Sequence, residues 1–199
     1  MDDSVPPEAR AEIAGAVRRA LAEYGYERVT TARIAAEYGK SEAGLYYYYD
    51  SKDEMIAAFL EHAAEERRAS LAGIDPGDPD DPEAALRAAC ERLFRSPGEE
   101  GASVHVAVME LLSHAPYNET LRGPLLELER ATLDALTALV RAGVERGVFR
   151  EVDPRAVAAF LLAAADGSTG FHVALEMDVG ADLRAGWSAY VDSLLAGSG

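Results

Sequence analysis

Residues 29–52, VTTARIAAEYGKSEAGLYYYYDSK, decide the fold. Their order of residue types fits two short helices joined by a tight turn. Thr31 offers a hydroxyl where a helix start needs an acceptor for its orphan amides. Ile34, Ala35 and Tyr38 then recur at helical spacing on one face. Gly39 follows, and glycine tolerates the left-handed backbone that often ends a helix. Ser41 can cap the second helix. Leu45 and Tyr49 lie one turn apart and can close over Ile34 and Tyr38. Glu42, Ala43, Tyr46 and Tyr47 are left on or near the outer faces. A helix, a glycine turn and a second helix with small and aromatic outward residues is the helix-turn-helix arrangement. The plain alternative is a helical hairpin that packs its aromatics inward.

Thr31, Ile34-Ala35, Gly39, Ser41, Gly44-Leu45-Tyr46, Tyr48-Tyr49 and Ser51-Lys52 stand in an order and spacing that resemble the N-terminal signature of the TetR family of transcriptional regulators. The detailed resemblance covers about the first 60 residues. The remainder is similar to the family in length and helical pattern only. The resemblance implies an all-α chain of about nine helices, with a three-helix DNA-binding head over residues 1–50 and a ligand-binding and dimerisation body over 51–199. It implies that Thr31, Ser41, Tyr46, Tyr48 and Lys52 grip phosphates, which fixes register without reading sequence. Arg33, Lys40, Glu42, Ala43, Gly44 and Tyr47 are then the candidates to face base edges, where an arginine or lysine on guanine is the strongest direct reader.

The chain departs from the family pattern at three places. Lys40 replaces an apolar residue in the turn, Glu42 brings an acid to the reading helix, and Tyr49 replaces the usual phenylalanine. Glu42 can accept from a cytosine amino group or can weaken non-specific binding, and both readings stay open.

The totals point to a folded chain: 199 residues, 49% hydrophobic. That is long enough to bury a real core. Cys90 stands alone, which excludes an internal disulfide and suits a reducing cytosol. No apolar run approaches the ~20 residues a membrane span needs, and MDDSVPPEAR lacks the apolar core of a secretory signal. A cytoplasmic location is expected.

The formal net charge of −16 is unusual for a DNA binder, whose footprint is normally basic. Yet both lysines of the chain, Lys40 and Lys52, fall inside the quoted stretch. High acid, high alanine and very little lysine resemble proteins from salt-in halophiles. There the Debye length shrinks to about 3 Å at 1 M salt and acidic self-repulsion costs little. An acidic mesophilic protein is the alternative.

Upstream, Pro6-Pro7 suits a helix start. Ile13, Val17, Ala20, Leu21 and Tyr24 mark an amphipathic first helix ending near Gly25. Ser51 and Glu54 form a capping box that opens a long helix with Met55, Ile56, Phe59, Leu60 and Ala63. Residues 73–83, GIDPGDPDDPE, read as an acidic loop without the ligand order of a calcium site. Helices follow at Leu86–Phe94, at Val104–Leu112, from about Asn118 to Gly147, and in a final pair opened by Asp153-Pro154. Between the first two of these, SPGEEG is a break. By resemblance the final pair supplies a dimer face, with Phe160, Ala164, Gly167, Phe171, Trp187, Tyr190 and Leu194. By the same analogy Phe59, His62, Phe94, His105, Met109, Tyr117 and Trp187 line a pocket, although each serves equally well as plain core.

No catalytic motif is found. There is no Gly-x-Ser-x-Gly elbow, no phosphate-binding Gly-rich loop and no His-Glu-x-x-His pair. His105, Glu110 and His114 are spaced by five and four residues and do not align as metal ligands; no metal or cofactor is expected. Cys90 sits in an apolar stripe and reads as core. The expected function is a ligand-responsive repressor, homodimeric, binding a palindromic operator and released by a small-molecule effector. The alternative is a helical ligand-binding or interaction protein that has lost specific DNA binding. An enzyme is permitted by the composition and requested by nothing in it.

Overall fold

Pro7 opens the first helix where its missing N–H costs nothing, and α1 runs from Pro7 to Arg28. Its ladder breaks at Gly25, which adopts φ 68° and ψ 170°. The helix expected to end near Gly25 therefore ends there as an unbroken α-helix and carries one further turn. The computed structural model describes residues 5–72, 81–94 and 102–197.

After α1 come α2 (Thr31–Tyr38), α3 (Glu42–Tyr46), α4 (Lys52–Ala72), α5 (Pro82–Leu93), α6 (Ala102–His114), a 3-10 turn (Ala115–Tyr117), α7 (Glu119–Glu145), α8 (Pro154–Leu175) and α9 (Gly180–Leu194). The all-α expectation holds. Extended pairing among the described residues is limited to one isolated bridge, between Phe149 and Leu195.

The chain divides into two compact units: Met1–Glu66 with Glu100–Glu129, and Arg67–Glu99 with Arg130–Gly199. This division follows contacts through space, and so differs from the cut at residue 50 expected from the sequence.

In the first unit, α1 packs on α2 and on α6. Ile13, Val17 and Leu21 of α1 are buried, as are Ile34, Leu45, Met55, Ile56 and Leu60 of the helices that follow. Leu111 of α6 and Leu121 and Leu125 of α7 are buried as well.

In the second unit, Leu86 and Cys90 of α5 and Phe94 at its C-terminal cap share a core with Leu136 and Val140 of α7, Val157, Leu161 and Ala165 of α8, and Trp187, Val191 and Leu194 of α9. Phe149 enters this core because Gly143 makes room. A Cβ on Gly143 would lie 2.0 Å from the Phe149 ring. The Gly143 carbonyl accepts from the amides of Val148 and Phe149 at 2.9 and 3.0 Å, and Gly147 supplies the left-handed turn between them at φ 70°.

The acidic loop expected over residues 73–83 lies outside the described residues as far as residue 80. Its last part is helical: Asp81 caps α5 through the Ala84 amide at 2.9 Å, and Pro82 and Glu83 are already in the first turn. SPGEEG also lies outside the described residues.

Among the described residues, α8 is the one helix long and apolar enough to cross a membrane by length and composition alone. Its apolarity has a local cause, since it carries two apolar faces. Val157, Ala158, Leu161 and Ala165 are buried in the unit's own core, while Phe160, Phe171 and Leu175 point outward, 55%, 50% and 67% exposed.

Candidate nucleic-acid interface

The head is built from local rules. Thr30, one residue before the position expected, caps α2: its hydroxyl accepts from the Arg33 amide at 3.3 Å. Thr31 is thereby the first helical residue, and its own hydroxyl is free for another task. It meets the Tyr46 hydroxyl at 3.2 Å, which ties the start of α2 to the end of α3. Gly39 ends α2 in the left-handed region at φ 72°. Ser41 caps α3 by accepting from the Gly44 amide at 3.3 Å. Ser51 accepts from the Glu54 amide at 3.2 Å, and the Glu54 carboxylate reaches back to the Asp50 amide at 2.8 Å.

Burying Leu45 fixes which way α3 faces. Ser41, Glu42, Ala43, Tyr46 and Tyr47 are exposed, with Tyr47 at 80%. Glu42, Ala43, Tyr46 and Tyr47 recur at steps of one and four, so they form one outward face. Gly44, Tyr48 and Thr31 are half-buried beside it. The Tyr47 and Tyr48 rings meet edge to face, with centroids 4.9 Å apart. The expected phosphate-gripping hydroxyls and the expected base-facing residues are thus brought onto α3 and the ends of its neighbours.

The cations behave differently. The Lys40 ammonium lies 2.9 Å from the Tyr38 hydroxyl and 3.2 Å from the Glu12 carboxylate. These two contacts raise its pKa and keep it charged. The pair with Glu12 is exposed and cheap to exchange. The Arg33 guanidinium sits 4.2 Å over the Tyr24 ring and donates to the Arg28 carbonyl.

Lys52 departs from the simple phosphate grip. It is half-buried, with Nζ 4.3 Å over the Tyr26 ring and 3.4 Å from the Tyr26 carbonyl. An ammonium carries three donors, so a phosphate is reachable only by those that Tyr26 leaves unused.

Each residue expected to line a pocket has its own setting. Phe59 is buried in the first unit, and Phe94 stacks on Trp187 in the second with centroids 6.1 Å apart. Tyr117 is 91% exposed, because it ends the 3-10 turn on the surface. His62 pairs with Glu66 one turn on, Nε2 to Oε1 3.6 Å, and Met109 is half-buried. The His105 side chain lies outside the described residues.

Of the expected dimer residues, Trp187 and Leu194 are buried in the chain's own core because the inner stripe of α9 faces α5 and α8. Phe160, Ala164, Gly167, Phe171 and Tyr190 keep surface. Phe160 and Tyr190 rings touch at 4.9 Å, and the space beside Gly167 is open.

Cys90 is core as read. Burial pushes its thiol up to about 12, which leaves little nucleophilic thiolate at neutral pH. Among the described residues no group of three His, Cys, Asp or Glu side chains could hold a metal.

Sequence reasoning missed a row that begins on α6 and ends just past the 3-10 turn. Glu110, His114 and Asn118 reach the head at the α1–α2 turn and at the start of α4. Their spacing of four was the available signal, and nothing local named the partner.

A capped, outward-facing helix of five residues behind a glycine turn, on an all-α chain, defines a helix-turn-helix DNA-binding protein. Residues 13–59 match the model for bacterial regulatory proteins of the tetR family, and residues 82–196 match the C-terminal model of BetI-type transcriptional repressors. The chain belongs to the TetR family and is a transcriptional regulator of that family. The family consists of regulators rather than enzymes.

A TetR transcription regulator from Haloarcula marismortui superposes with a TM-score of 0.74 at 37% identity, over 94% of this chain and 97% of that one. The HTH-type transcriptional repressor AcnR of Corynebacterium jeikeium is 35% identical over 68 residues, 34% of each chain. The nucleoid occlusion factor SlmA of Pasteurella multocida is 60% identical over 40 residues, so that likeness spans only 20% of either chain.

Proposed function

We propose that the chain works in the cytoplasm as a homodimeric repressor, whose two heads read a palindromic operator and leave it when a small-molecule effector binds. The outer row of α8 carries this reading. Phe160, Phe171 and Leu175 are half or more exposed, and the small residues Ala164 and Gly167 lie between them. An apolar row of this kind suits a self-complementary interface between two copies. Two copies related by a two-fold axis would present their α3 helices to successive major grooves about 34–36 Å apart.

Tyr46, Tyr48, Thr31 and Ser41 would hold phosphates. Lys40, freed from Glu12, and Tyr47 would face bases. The effector would act by preferring the conformation that does not fit DNA, which shifts the population away from the operator. The −16 charge and the two lysines support a salt-adapted protein whose fold strengthens toward molar salt.

Selection of duplexes from a random-sequence library tests the reading. It predicts enrichment of an inverted repeat. A second reading, a ligand-binding protein that no longer reads DNA, is favoured by Glu42 on the outward face and by the overall charge. It predicts no enrichment at any salt concentration.

A further inference from the structure

Gly25 breaks the α1 ladder, so the amide that follows it needs an acceptor from elsewhere. Glu110 of α6, 84 residues away, supplies it: the Tyr26 amide donates to the Glu110 carboxylate at 2.7 Å. The same carboxylate occupies the space a side chain at position 25 would need, with Oε2 2.9 Å from the site of a Cβ. The left-handed φ of 68° and this close approach both require glycine.

Two further residues at steps of four continue the row. His114 Nε2 lies 2.9 Å from the Glu27 carboxylate, and its ring packs on Tyr26 with centroids 4.7 Å apart. Asn118 donates to Asp53 Oδ2 at 2.8 Å, and Asp53 Oδ1 accepts from the Tyr26 hydroxyl at 3.3 Å. Tyr26 is thus held at its amide, its ring and its hydroxyl, and it is buried. Burial first, and the Asp53 charge second, raise its phenol pKa, which keeps it a donor.

We infer that Glu110 is a positioning residue for DNA reading, one whose carboxylate sets the α1–α2 turn and through it the stance of α2 and α3. This rests on the DNA-binding reading above. A neutral amide acceptor of the same shape can still receive the Tyr26 N–H, whereas a shortened or deleted side chain cannot.

The test compares wild type, E110Q, E110A and E110D as full chains, all at a temperature where circular dichroism shows each folded. The probe is a duplex selected by the wild-type protein from a random library. E110A and E110D bind it about tenfold or more weakly, the loss expected when a buried donor is left without an acceptor, while E110Q stays close to wild type. Hydrogen exchange over residues 22–30 is faster in E110A and E110D and unchanged in E110Q.

Rescue by glutamine separates positioning from a general packing role. E110D keeps the question answerable if E110A does not fold. Folded E110A or E110D with wild-type affinity and wild-type exchange overturns the inference. Should the wild-type protein select no duplex, the DNA-binding reading fails by itself. The exchange result then decides whether Glu110 sets the turn.

Discussion

α3 and α8 both turn a face to solvent, and the two faces differ in kind. α3 shows Glu42, Ala43, Tyr46 and Tyr47: a carboxylate, a methyl and two phenols. α8 shows Phe160, Phe171 and Leu175, with nothing polar between Phe160 and Ala164. A wet, charged groove is matched by hydroxyls that can each accept or donate. A second protein surface is matched by apolar area that leaves water. The charge follows the same division. Residues 29–52 set Arg33, Lys40 and Lys52 against Glu37, Glu42 and Asp50 and are neutral, within a chain of −16. Acid is therefore concentrated where no polyanion has to approach.

The largest effect is expected on α8. Phe160→Asp with Phe171→Asp would bury like charges across the two-fold axis, and the protein should sediment as a monomer. Binding of a selected duplex should fall about a hundredfold or more, the scale of hot-spot loss. A dimer that survives this change would place the interface elsewhere.

On α3, Tyr46→Phe removes the hydroxyl that Thr31 holds. Affinity should weaken about three- to tenfold for all duplexes alike, since a phosphate contact carries no sequence. A changed sequence preference would move Tyr46 to the base-reading set.

Gly143→Ala contrasts with both, because it touches neither face. It drives a methyl into Phe149 and should cost about 1–3 kcal/mol in denaturant titration, with DNA affinity of the folded protein unchanged.

Asp166 of α8 gives a pH-dependent effect. Burial raises its carboxyl from 3.8 to about 6. The folded state thus favours the protonated form. Its stabilising contribution is full below pH 3.8 and is lost as pH rises through about 6. The free energy of unfolding should therefore fall as pH rises from about 4 to about 6, and Asp166→Asn should flatten that step.

The smallest effect is expected at Glu42. Glu42→Gln removes one repulsion from phosphates and should raise affinity for non-specific duplex about threefold. Loss of preference for one base pair would show that Glu42 reads cytosine.

The head was legible in the sequence because its signals are local. Gly39, Ser41 and Leu45 each act within a turn of themselves, and they lie where their chemistry requires. The cap shifted by one residue because Thr30 and Thr31 carry the same hydroxyl and only backbone geometry chooses between them. Trp187 and Leu194 were given to the dimer face by resemblance, since an apolar stripe does not say whether its partner is the same chain or another. Glu110 was illegible for a different reason: its partner is 84 residues distant, so spacing could show a row but not what it grips. Tyr117 was placed in the pocket by analogy alone, since an aromatic after a helix end has no periodicity to orient it, and it is 91% exposed.

The most direct measurement is selection from a random duplex library by the wild-type protein and by a Tyr46→Ala, Tyr47→Ala double variant. The account predicts that the wild type enriches an inverted repeat with half-sites about one helical turn apart, and that the variant enriches nothing. Equal enrichment by both proteins would contradict it.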